Sequence, residues 1–156
     1  MDWYETIKWL HIIGSTVLFG TGAGTAFQMV MAIRSHDPRV ITAVAKNVVI
    51  ADWLFTAPAG ILQPVSGIAL VYMSGYSLTA PWLLLVYALY LVAFVAWVPV
   101  VWLQHRIRDL AAESAATASP ISKKCRFYYR IWFTLGWPAF IALMVIFWLM
   151  ITRPQF

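Results

Sequence analysis

The sequence predicts an all-α fold: an integral membrane four-helix bundle with both termini periplasmic and two basic loops in the cytoplasm. Three observations carry this reading. The chain is 62 % hydrophobic and 11 % charged, against about half and about a quarter for a soluble domain. A soluble chain of 156 residues has too much surface for its volume to hide so many apolar side chains. Nine of the eleven Lys and Arg residues fall in two segments, one from Arg34 to Lys46 and one from Arg106 to Arg130. Around them run the stretches Trp9 to Ile33, Val48 to Met73, Ala80 to Gln104 and Ile131 to Ile151, in which Asp52 is the one charged residue. At 1.5 Å per residue, roughly 20 residues cross the hydrocarbon core of a bilayer.

The reading is a single domain over residues 1–156, with helices over about 4–33, 48–73, 80–116 and 128–151. The first ten residues do not read as a signal peptide, because Asp2 and Glu5 stand where a basic start is needed. Asp37-Pro38 is a turn signal that stops the first helix. Ser74-Gly75-Tyr76-Ser77-Leu78-Thr79 is short, uncharged and turn-forming, so the second and third helices form a hairpin. Good helix formers carry the third helix past the membrane from Arg106 to Ala116, until Ser119-Pro120 breaks it.

Lys and Arg loops stay in the cytoplasm, which puts both basic segments inside a bacterial inner membrane and both chain ends outside. The same rule accounts for the net charge of +5 without nucleic acid as a partner. The expected partners are the lipid bilayer and a homodimer mate or a larger membrane complex. Lys123-Lys124-Cys125-Arg126 suits anionic headgroups. Phe127, Tyr128 and Tyr129, with Trp3, Trp9, Tyr76, Trp82, Trp102 and Trp148, are placed as interfacial anchors. Cys125 is the single cysteine, expected as a reduced thiol in a cytoplasmic loop.

Candidate chemistry begins in the first helix. His11 lies inside the membrane near its outer end, and intramembrane ionisable groups are functional candidates. Gly14, Ser15, Leu18 and Gly22 share its face at 100° per residue. An imidazole beside small residues suits haem iron and its flat ring; the bland reading is a histidine hydrogen-bonded to a neighbouring helix. Gly20 and Gly24 form a small-xxx-small pair expected to face another helix. Asp52 is expected to pair with Lys46, Arg106 or Arg130, with proton uptake as the alternative. Gln63, near mid-membrane, needs a partner inside the bundle. Pro58, Pro64, Pro99 and Pro138 kink their helices, and kinks beside polar groups suggest an internal pocket. His36 and His105 with Asp52 make a sparse metal candidate at the cytoplasmic side. Phe55-Thr56 and Phe133-Thr134, each followed by a proline, form a faint internal echo. No nucleotide loop, zincin, serine triad or redox CxxC is present.

Several motifs carry a resemblance. Lys8-Trp9-Leu10-His11-Ile12-Ile13-Gly14, Asp52-Trp53-Leu54-Phe55-Thr56-Ala57-Pro58, Gln63-Pro64-Val65-Ser66-Gly67, Trp97-Val98-Pro99 and Phe133-Thr134-Leu135-Gly136-Trp137-Pro138 together resemble a bacterial family of predicted integral membrane proteins, domain of unknown function 2269. That family is distantly similar to copper-resistance D-type membrane proteins and to HemJ-type protoporphyrinogen oxidase. The resemblance implies a haem b of redox or electron-transfer type, with His11 as axial and metal ligand. Lys8 would stand at the outer mouth, beside a propionate. Gly14, Ser15 and Gly22 would give room, and Gln63 stands among the residues that could face the ring from the other side. The oxidase type also needs a lysine on a later helix, and here the third helix has none between Ala80 and Gln104. A non-catalytic scaffold subunit and a small transporter or metal-handling protein are the other readings.

Overall fold

The computed structural model describes residues 2–154. These residues form helices α1 (Trp3–Arg34), α2 (Pro38–Ala51), α3 (Ala57–Met73), α4 (Pro81–Ala116) and α5 (Lys123–Thr152), and a π turn over Asp52–Thr56 joins α2 to α3. Counting α2, the π turn and α3 as one rod, four helices are long and apolar enough to cross a membrane. They alternate in direction: His11, early in α1, meets Ser66, late in α3, and Arg153 past the end of α5 bonds Tyr76 in the loop after α3. The Ser35–Asp37 loop and the loop after α4 share one end, called here the basic end; the Ser74–Ala80 loop marks the neutral end.

Two boundaries differ from the sequence expectation. The second rod starts at Pro38 rather than ten residues later, and the last starts at Lys123 rather than at 128. Both starts are set by capping, which hydropathy does not register. The Asp37 carboxylate accepts from Arg39 N–H at 2.8 Å with Pro38 in the first turn, where a missing N–H costs nothing. Ser122 Oγ accepts from Cys125 N–H at 3.1 Å. α2 is then held by a stripe of Ile41, Ala45, Val48 and Val49, all buried, at the three- and four-residue spacing of one helix face.

The π turn has a local cause. Pro58 has no N–H, so carbonyls one turn before it lose their ordinary donor. The chain widens instead, and Ala57 N–H reaches back five residues to Asp52 O. π turns occur mostly as single bulges at functional sites. The Phe133-Thr134 echo does not reproduce it: α5 is regular there, and Thr134 hydroxyl donates to its own helix at Arg130 O.

Packing is concentrated at the two ends. At the basic end Met29, Ala32, Ile41, Ala45, Val48, Leu103, Ile107, Ala111, Ile121, Cys125 and Trp132 form one core. Cys125 is thus a fully buried core residue of α5's first turn, with its thiol against Ile107 O, and not the loop residue expected. At the neutral end Val71, Trp82, Leu83, Val86, Ile146 and Leu149 form the second core. Trp82, expected as an interfacial anchor, is 7 % exposed and belongs to this core, whereas Trp3, Trp9, Trp102 and Trp148 are exposed as anchors are. Between the two cores the contact between the α1–α3 and α4–α5 pairs thins to bridging side chains, Phe19 on Phe140 and Tyr90 on Gly60.

Candidate functional site

The gap between the cores is a cavity of about 580 Å³, lined by Leu18, Phe19, Gly22, Ala23 and Ala26 of α1, by Asp52, Thr56, Gly60 and Ile61 of the second rod, by Tyr90, Phe94, Trp97 and Gln104 of α4, and by Trp132, Phe133, Gly136, Trp137 and Phe140 of α5. That volume lies within the roughly 300–1,000 Å³ of small-molecule sites. Glycine and proline hold it open. Gly22 and Gly136 both line it, and a Cβ added at either would meet nothing within 4 Å. Pro64 leaves the Gly60 carbonyl without its helical donor, and the Tyr90 hydroxyl crosses from α4 to donate to that carbonyl. Phe19 packs tilted against Phe140 and edge-on against Phe147, with centroids at 5.0 and 5.5 Å, and links α1 to α5.

The cavity walls are apolar except toward the basic end. There Asp52 is 4 %, Gln104 3 % and Trp132 5 % exposed. One Asp52 oxygen accepts from the Thr56 hydroxyl at 2.9 Å, a bond that spans the π turn. The other oxygen, Oδ2, makes no hydrogen bond of its own, although the Gln104 side chain lies against the carboxyl group. Trp97 Nε1, Gln104 Oε1 and Trp132 Nε1 also make none. These are the buried side-chain polar atoms without a hydrogen bond among the described residues, and the residues carrying all four line this one cavity. Native structures leave few such atoms, because each forfeits its hydration.

Asp52 therefore does not pair with Lys46, Arg106 or Arg130. The ion pair found among the described residues is Arg108–Asp109, at 2.8 Å on the surface. The basic side chains at that end are half-buried or exposed, and the Asp52 carboxyl turns inward because the π turn rotates it toward α4. Nor do His36, His105 and Asp52 form a metal cluster: no group of three or more His, Cys, Asp or Glu capable of holding an ion occurs among the described residues. His105 Nδ1 meets its own helix at Val101 O, 2.9 Å away.

The residues expected around His11 separate into three places. His11, Gly14 and Gln63 lie in the seam between α1 and α3. His11 Nδ1 is 2.8 Å from Ser66 Oγ, and Gln63 Nε2 donates to His11 O at 3.0 Å. Gly14 and Gly67 let the helices close: an added Cβ on Gly14 would stand 2.7 Å from Gln63 Nε2, and one on Gly67 3.3 Å from His11 Cε1. Gly22 lies instead on the cavity. Lys8 is outside, with Nζ 5.9 Å from the Tyr4 ring centroid, and Ser15 donates to Ile12 O of its own helix at 2.7 Å. Gly20 and Gly24 face no other helix of this chain, since an added Cβ at either meets nothing within 4 Å.

A haem held by His11 does not fit this seam. The space beside Gly14 meant to receive a flat ring is taken by Leu62 and Gln63, and His11 does not line the cavity. The cavity in turn offers no His, Cys or Met to an iron. Gln104, Trp97 and Trp132 are the site residues that sequence reasoning missed. Gln104 was visible as an uncharged polar residue closing an apolar stretch; the two tryptophans carried no signal separating them from interfacial anchors.

Fold and site together define a class: a four-helix integral membrane protein with a laterally open, mostly apolar cavity and a small polar cluster at one end. The chain belongs to the family described as predicted integral membrane protein (DUF2269), whose model matches residues 5–154. No curated protein matches the chain, and no solved structure does.

Proposed function

We propose that this protein binds a small, largely apolar molecule within the membrane, taking it from the bilayer into the cavity between the α1–α3 and α4–α5 pairs. The observation that carries the proposal is that the four residues carrying unpartnered buried polar atoms among the described residues all line one cavity. An apolar pocket with a few convergent polar groups is the ordinary form of a ligand site. The walls supply burial for an apolar body, and Asp52, Trp97, Gln104 and Trp132 supply orientation. Binding of this kind serves a carrier, a sensor or an enzyme subunit, and the first of these matches the transporter reading of the kinked helices.

The loop charges support a bacterial inner membrane location with the basic end in the cytoplasm. The polar end of the cavity then faces the cytoplasmic leaflet. The test is extraction: protein purified in lipid nanodiscs is extracted with organic solvent, and the extract is compared with empty discs by mass spectrometry. A compound enriched in the native protein and lost in Gly136→Leu supports the reading, and identical extracts refute it.

Haem b on His11 is the competing reading. It keeps one support, since His11 Nε2 makes no hydrogen bond among the described residues. A Soret band in protein from haem-replete cells, abolished by His11→Ala, would replace the cavity reading with that one.

A further inference from the structure

The cavity opens sideways between α1 and α5. Gly22, Ala23, Phe133, Gly136 and Trp137 line it and are nonetheless exposed. Three arginines stand beneath this window. Arg126 and Arg130 come seven residues before Phe133 and Trp137, two turns of α5, and so share their face. Arg34 comes eleven residues after Ala23, three turns along the same face of α1. Its charge lies close to the Tyr129 hydroxyl of α5, which brings it to the α1–α5 side.

All three arginines are exposed, and none is paired with a carboxylate: the ion pair among the described residues is Arg108–Asp109. The opposite side of the cavity, where Trp53 and Phe94 are exposed, has Lys46 two turns before Trp53 and the already paired Arg108. Unpaired positive charge is therefore concentrated under the α1–α5 window. Asp52 is turned away from it, toward α4.

An apolar chain gains no hydrophobic energy by leaving lipid for an apolar cavity. What selects an occupant is its fit and its head. A neutral head leaves the arginines unanswered, and a cationic head is repelled. An anionic head, phosphate or carboxylate, matches the forked donors of a guanidinium.

We infer that the α1–α5 window admits an anionic amphiphile from the leaflet at the basic end, its chain in the cavity and its head on Arg34, Arg126 and Arg130. This rests on the cavity reading above and adds the class of ligand. The head stays at the basic end of the cavity, the end that Asp52, Trp97, Gln104 and Trp132 also occupy.

The experiment uses the full chain in phosphatidylcholine nanodiscs doped equally with lysophosphatidylglycerol and lysophosphatidylcholine of one chain length. Native mass spectrometry of the released protein counts what stays bound. The anionic lysolipid is expected to be retained at roughly tenfold the level of the zwitterionic one, and Arg34→Gln with Arg130→Gln to cut that ratio to about threefold or less. Arg39→Gln with Lys46→Gln removes equal charge from α2 and is expected to leave the ratio unchanged. Gly136→Leu is expected to lower retention of both lysolipids, and Gly22→Leu on the facing wall repeats the block should the first variant not fold. Equal retention of the two lysolipids in the native protein overturns the inference, as does an equal loss of preference in the α2 pair. Retention unchanged by both leucines places the chain outside the cavity and overturns it too. The cavity reading falls only if the solvent extracts above are identical.

Discussion

Gly14 and Gly24 sit on the same helix and carry opposite consequences. At Gly14 a methyl group would stand 2.7 Å from Gln63 Nε2 and 2.9 Å from Leu62 Cδ2, so both side chains must shift and Gln63 must give up its bond to His11 O. Gly14→Ala is expected to lower stability by about 1–3 kcal/mol, the usual cost of overpacking. At Gly24 the same methyl group meets nothing within 4 Å, so Gly24→Ala is expected to stay within about 0.5 kcal/mol of the native chain. Thermal denaturation of both variants in one detergent checks the pair, and equal effects would show that the α1–α3 seam is wrongly placed. In the sequence Gly24 is the one expected against another helix, and Gly14 the one expected to leave room beside His11. What separates them is the helix that arrives from 50 residues away, and a small-xxx-small spacing does not say which of its members is covered. His11 was legible as a membrane histidine, and its bland role, a hydrogen bond to a neighbouring helix, is the one found with Ser66.

At the scale of the element, the prolines do the most work, and each was visible in the chain. Pro64 frees the Gly60 carbonyl and the Tyr90 hydroxyl takes it. Tyr90→Phe should therefore cost on the order of 0.6 kcal/mol, a usual value for a hydrogen bond between membrane helices. In a Pro64→Ala background the alanine N–H supplies the missing donor, and the same Tyr90→Phe change should cost close to nothing. A double-mutant cycle on unfolding free energy measures this coupling; additive effects would sink the explanation. The helix count and the end of α4 at Ala116 were legible from hydropathy and from Ser119-Pro120. The starts at Pro38 and Lys123 were not, although Asp37-Pro38 holds an N-cap and a first-turn proline. A turn that ends one helix and a cap that starts the next use the same residues, and only the first role was read. The π turn was likewise out of reach, because Pro58 explains it only once the chain is known to remain helical on both sides.

For the whole molecule, the sequence distinguishes a membrane solvent from water but not where a bundle fails to close. The cavity exists because the helix pairs pack closely at the two ends and are bridged in the middle by single side chains such as Phe19 and Tyr90, which depends on contacts between residues far apart in the chain. Asp52 was singled out as the lone charge of its span, yet its expected ion pair is absent, since the π turn aims it at the cavity instead of the basic loops. Orientation in the membrane follows from the loop charges alone: a reporter that is active only in the periplasm, fused after Phe156, should be active, and activity of a cytoplasmic reporter at that position would invert the bundle. The central claim, that the gap beside Asp52 is a binding site and not merely loose packing, is tested most directly by an experimental structure in lipid nanodiscs. The account predicts non-protein density between α1 and α5, with its polar end within hydrogen-bonding reach of Asp52, Trp97, Gln104 or Trp132. Side chains collapsed into the gap, with those four groups bonded to one another, would contradict it.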